Sequence, residues 1–211
     1  MVIGCFGALY YLYLPKSLTM KLRLLLFTFL ALSFTLKTSA QCLEVTSIFV
    51  NACVIGSGTT NCTQEGPNEM FTFTVGATDL FVNNISVNWP NNTFQGFCKG
   101  ALTAAKTDTL NGTITSTCGR LVEPLNDTLP AGARVIVITS EDFCANANSF
   151  SNLADTMYIL FQCAGNIAGH FANSPSGTRT LQVTTTGPCV QIESVSYDGA
   201  IPGSDGATAF Y

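Results

Sequence analysis

The chain has 211 residues, enough for one domain with its own core. From Gln41 onward thirteen acidic side chains stand against five basic ones (Lys99, Lys106, Arg120, Arg134 and Arg179), a formal charge of −8. That balance excludes an electrostatic footprint for nucleic acid and opposes binding to anionic lipid.

The first forty residues differ from the rest. Lys21 and Arg23 make a basic start, residues 24–32 are apolar, Phe34 and Leu36 extend the run, and Thr38-Ser39-Ala40 offers small residues for cleavage. Order and size are those of an export signal. Met20 stands just before it. Residues 20–40 are therefore read as a signal peptide, residues 1–19 as an upstream over-call or leader extension, and residues 41–211 as the mature domain. A membrane anchor competes, but residues 2–14 and 24–36 are both short for a span. Membrane contact is expected only through an uncleaved leader.

Eight cysteines follow the leader, and an even count in an exported chain points to disulfides. Proximity in sequence favours Cys53–Cys62, Cys98–Cys118 and Cys144–Cys163, leaving Cys42–Cys189 to join the first strand to a late one. Close CxxC pairs, the mark of a thiolate zinc site, are missing from the sequence.

Residues 43–54 read as a strand and 56–68 as a polar loop. Phe71, Phe73 and Val75 alternate with Thr72 and Thr74, the period of a half-buried strand. Turn chemistry at 76–79 leads to a second strand-rich run at 80–89, ended by Pro90 and expected to partner the first. Apolar residues at three- and four-residue steps predict a helix over 101–115, weakened by Gly112 and several threonines. Residues 121–130 read as a connection. In residues 129–138 a tight turn feeds the run Val135-Ile-Val-Ile138, which predicts a central strand buried on both faces. A loop over 139–151, with a helical turn at 151–154, precedes a strand at 156–162. After a Gly/Asn/Ser-rich stretch, strands are expected at 178–184 and 190–197, turning at Gly187-Pro188, and a last strand at 207–211. The set predicts an all-β sandwich with a short helical insertion.

No catalytic, cofactor-binding or metal-binding residue set can be assigned, and the chain is not expected to be an enzyme. His170, the lone histidine, reads as a loop organiser. A Ser-His-Asp arrangement would need Ser151, Ser174 or Ser176 with Asp142 or Asp155, and no nucleophile-elbow motif supports it. Glu65, Glu69, Asp198 and Asp205 sit in turns where carboxylates could hold calcium, against the commoner reading of solvated turns. Trp89 and Phe94 could stack on a sugar ring, although Trp89 beside Pro90 reads better as core. Asn61, Asn84, Asn91, Asn111 and Asn126 are N-glycosylation acceptors by pattern.

Several runs carry a resemblance. Val50-Asn-Ala-Cys53, Gly66-Pro-Asn-Glu-Met-Phe-Thr-Phe-Thr-Val-Gly76, Val87-Asn-Trp-Pro-Asn-Asn92, Leu129-Pro-Ala-Gly132, Phe161-Gln-Cys-Ala-Gly-Asn166, Gly169-His-Phe-Ala-Asn173 and Ser196-Tyr-Asp198 resemble the N-terminal module of large secreted Bacteroidota cell-surface proteins. More loosely, residues 68–70, 129–137, 155–160 and 195–198 are similar to lamin-tail domains, which are immunoglobulin-like β-sandwiches. The chain departs from that family by its cysteines, by the 97–118 insertion, and by Phe71 where a second acidic residue is usual. Asp108-Thr-Leu, Asp127-Thr-Leu and Asp155-Thr-Met resemble O-glycosylation sequences of the same phylum. The resemblance carries over no activity; the chain as a whole reads as a non-catalytic structural or adhesion module, secreted or at the cell surface, with an extracellular protein or glycan as partner. The alternative is a carbohydrate-binding domain, calcium-dependent in one version.

Overall fold

The computed structural model describes residues 41–51, 62–163, 169–171, 177–199 and 207–211. The leader at 1–40, Cys53, Asn61, Ser174, Ser176 and Asp205 lie outside the described residues. The described elements are, in order, β1 (Leu43–Asn51), β2 (Met70–Val75), β3 (Leu80–Phe81), β4 (Ile85–Asn88), β5 (Phe97–Cys98), α1 (Ala101–Asn111), β6 (Arg120–Val122), β7 (Thr128–Leu129), β8 (Arg134–Ile138), β9 (Thr156–Gln162), β10 (Thr178–Thr185), β11 (Gln191–Asp198) and β12 (Ala207–Phe210). Strands dominate, and α1 is the one α-helix among the described residues, so the fold is mixed α/β with a short helix.

A seven-stranded sheet runs in the order β12-β1-β2-β8-β9-β5, with β6 also on β9. A three-stranded sheet runs β11-β10-β4, and β3 pairs with β7. In the large sheet β8 and β6 lie parallel to β9, and the other pairs are antiparallel.

The side-chain period explains the layering. β2 buries Phe71, Phe73 and Val75, and its threonines face away. β8 sends Val135 and Val137 into one core and Ile136 and Ile138 into another. The first core lies between the two larger sheets and includes Val87, Leu181, Val183, Val195 and Tyr197. The second lies under α1 and includes Leu110, Leu121, Met157, Ile159 and Phe161. The Val/Ile run is thus a central strand buried on both faces.

Four expectations are corrected. The runs at 70–75 and 80–89 are not partners. β2 joins β1 and β8, and after a two-residue strand and a 3-10 turn β4 joins β10 in the other sheet. Gly76 closes β2 against the start of β1: its N–H donates to the Cys42 carbonyl (2.8 Å), and a Cβ there would stand 1.6 Å from the Gln41 carbonyl oxygen. The helix ends at Asn111 rather than 115. The Asn111 amide donates to the Leu121 carbonyl (2.9 Å) and its Oδ1 accepts the Leu121 N–H (2.7 Å), pinning the last turn to β6 before Gly112. The connection at 121–130 contains β7 and the end of β6, and the helical turn falls at Ala145–Ala147 instead of 151–154.

The disulfides are Cys42–Cys189, Cys62–Cys144 and Cys98–Cys163. The first is as expected. The pairs Cys53–Cys62, Cys98–Cys118 and Cys144–Cys163 do not form, because tertiary placement overrides closeness in sequence. β5 lies antiparallel to β9 with Cys98 opposite Phe161, which brings Cys98 to Cys163 just past the strand. Cys118 is exposed and unbridged.

Candidate functional site

The densest cluster of chemistry-bearing groups is buried. Glu69 closes the 3-10 turn Gly66–Asn68 and sits immediately before β2, only 2% exposed. One carboxylate oxygen accepts the backbone N–H groups of His170 (2.6 Å) and Phe171 (3.0 Å). His170 is 0% exposed, and its ring packs edge-on against Trp89 at 5.0 Å. Gln162 ends β9 and joins both rings.

The hydrogen-bond roles follow from donor inventory. Trp89 Nε1 can only donate, and it donates to Gln162 Oε1 at 2.6 Å. Gln162 Nε2 then donates to the Thr139 carbonyl (3.1 Å) and to His170 Nε2 (2.6 Å). His170 Nε2 is therefore an acceptor, the imidazole is neutral, and its proton is on Nδ1. That Nδ1 is buried with no hydrogen-bond partner.

Electrostatics agree. Burial lowers the His170 pKa to about 4. Burial also raises the Glu69 pKa to about 8, against the pull of the two backbone N–H groups and with a further push from Glu65. At neutral pH both groups are mainly uncharged. A general base needs access to substrate, and neither group reaches the surface.

What the cluster does is join segments remote in sequence. The Asn91 N–H donates to the His170 carbonyl at 3.0 Å, and Asn92 Nδ2 donates to the Gly169 carbonyl. Asn68 Oδ1 accepts the Cys144 N–H and Asn148 Nδ2, both at 3.0 Å. Gly169 has φ +74°, and a Cβ there would lie 2.8 Å from Glu69 Oε1. Phe71, Trp89, Phe171 and Tyr197 continue the cluster as edge-to-face aromatic pairs.

The remaining candidates among the described residues do not converge. Ser151 uses its carbonyl to accept from Thr115, and Asp155 lies 3.8 Å from Arg134. Among the described residues no group of three or more His, Cys, Asp or Glu side chains could hold a metal ion. Asp198 accepts the Gly177 N–H at 3.4 Å. Trp89, at 5% exposure, is not available as a sugar platform. Phe94 packs edge-on against Phe97 at 5.1 Å. Asn91 and Asn126 are exposed, Asn84 is half-buried, and the Asn111 amide is committed to β6. Thr109 and Thr156 are exposed and Thr128 is half-buried.

Sequence reasoning missed Gln162, Thr139 and Asn68 as partners of the histidine and glutamate. One signal was present: Gln162 is a polar residue that ends an otherwise apolar strand. Comparison with protein-family models, with curated proteins and with solved structures found no match.

Proposed function

We propose that residues 41–211 serve as a non-catalytic extracellular module, structural or adhesive, with an immunoglobulin-like, lamin-tail-like β-sandwich as its frame. One observation carries the reading: the sole histidine and the buried glutamate, the groups best suited to chemistry, are spent on holding loops together. Two sheets that share one apolar core support the sandwich. Bridges spanning 65 to 147 residues support an oxidising compartment. The kinship proposed is with the N-terminal modules of secreted Bacteroidota cell-surface proteins, and the partner is an extracellular protein or glycan. Of the carboxylates that could hold calcium, Glu69 is consumed internally.

The test is protein recovered from its native host. N-terminal sequencing that starts at Gln41, in material from medium or cell surface with its bridges formed, is the expected result. A cytoplasmic chain that keeps the Met20 leader and reduced cysteines would overturn the proposal.

A further inference from the structure

Asn111 and Gly112 form the one Asn-Gly pair of the sequence. That dipeptide is chemically labile, because no Cβ shields the glycine nitrogen. The deprotonated glycine amide attacks the side-chain carbonyl carbon of the asparagine. Ring closure expels ammonia and leaves a cyclic imide. Water then opens the imide to an aspartate, or to the isomer whose side-chain carbon lies in the main chain.

The fold holds both reacting groups. Asn111 is the last residue of α1, and Gly112 continues it with right-handed φ −62° and ψ −18°. The Gly112 N–H donates to the Asp108 carbonyl at 3.0 Å, which ties the attacking nitrogen into the helix ladder. The Asn111 side chain is tied by its two bonds to the Leu121 backbone, at 2.7 and 2.9 Å. Ring closure needs both sets of bonds to open.

The same asparagine anchors β6. That strand has three residues and, among the described residues, one strand neighbour, β9. Leu121 is 1% exposed and shares the second core with Leu110, the residue before Asn111. An aspartate at position 111 still accepts the Leu121 N–H. It has no hydrogen for the Leu121 carbonyl, so two acceptors face each other. Its charge falls at the negative end of the helix dipole, three residues after Asp108. The isomer adds a methylene to the main chain and moves the carboxylate away. Refolding repairs none of this.

We propose that Asn111–Gly112 is a modification site controlled by the fold: deamidation proceeds when α1 and β6 separate, and its product weakens their reclosure. The inference does not rest on the module reading above. Its failure would leave export and bridging untouched.

The experiment incubates oxidised residues 41–211 at neutral pH, folded and in guanidinium chloride, and follows each asparagine by peptide mass mapping. In denaturant Asn111 should convert fastest of all, and Gly112→Ala should slow it. In the folded chain its conversion should be slower by about tenfold or more, since it waits for a local opening. Amide hydrogen exchange then reads the anchor. Asn111→Asp should speed exchange of the Leu121 N–H about tenfold or more, with the amides of β2 and β10 unchanged. A variant that does not fold would show the same loss in extreme form, and the rate comparisons would still decide. Three results would each overturn the proposal. They are equal Asn111 rates in folded and unfolded chains, a faster asparagine elsewhere in the unfolded chain, and native Leu121 protection in Asn111→Asp.

Discussion

The buried pair Glu69 and His170 gives stability a defined dependence on pH. Glu69 titrates near 4.5 when exposed and at about 8 in the fold. Below pH 4.5 both states hold the proton, and the full contribution is present. Between 4.5 and 8 the unfolded chain releases the proton and the folded chain keeps it, so stability falls by about 1.4 kcal/mol per pH unit, or on the order of 5 kcal/mol in all. His170 acts in the opposite sense. It titrates near 6.5 when exposed and at about 4 in the fold. Its contribution is complete above 6.5 and is lost as pH falls to 4, on the order of 3 kcal/mol. The two slopes cancel between 4.5 and 6.5. Their sum is a plateau there and a decline of roughly 2 kcal/mol from 6.5 to 8. Glu69→Gln keeps an oxygen for the two backbone N–H groups and removes the titration. The assay is urea unfolding of oxidised protein from about pH 4 to 8.5, followed by the fluorescence of Trp89, the only tryptophan of the chain. Subtracting the variant from the wild type cancels the other carboxylates. The difference should fall by on the order of 5 kcal/mol across that range. A flat difference curve would refute the reasoning, since Glu69 would then titrate near its ordinary value despite its burial.

Three further outcomes are expected. Trp89→Phe strands Gln162 Oε1 in the core and should lower stability by about 1–3 kcal/mol by circular dichroism, and a loss below about 0.5 kcal/mol would contradict the assigned bond. Gly169→Ala must hold φ near +74° and crowd Glu69 Oε1, so it should cost about 1–3 kcal/mol in urea unfolding; a neutral result would remove the strain argument. Non-reducing peptide mapping should recover Cys42–Cys189, Cys62–Cys144 and Cys98–Cys163, and replacing the last pair by serine should cost about 4 kcal/mol for a 65-residue span.

Local pattern was enough for strands long enough to show a period. Residues 70–75 and 156–162 coincide with β2 and β9, and the unbroken Val/Ile run marked β8 as central. β5 and β7 have two residues each and β6 three, too few for any alternation to stand out. Which sheet a strand joins is not a local property either: β2 and β4 are neighbours in sequence, yet one pairs with β1 and β8 and the other with β10. Bridge pairing failed for a related reason: Cys98 meets Cys163 through strand register, which sequence spacing does not encode. Glu69 looked like a turn residue because its compensation comes from the backbone of His170 and Phe171, about a hundred residues away. The glutamine linking Trp89 to His170 was visible as a residue, but not as a junction.

The Cys42–Cys189 bridge has a mechanical consequence. A pull applied at residues 41 and 211 would travel through that sulfur–sulfur bond and bypass the chain between 42 and 189, including both other bridges. Only the tail bearing β11 and β12 could be drawn out, about 75 Å at full extension of about 3.4 Å per residue. The two cores sit mostly within the shielded loop, so a unit stretched to its limit would lengthen by a fixed step and keep most of its fold.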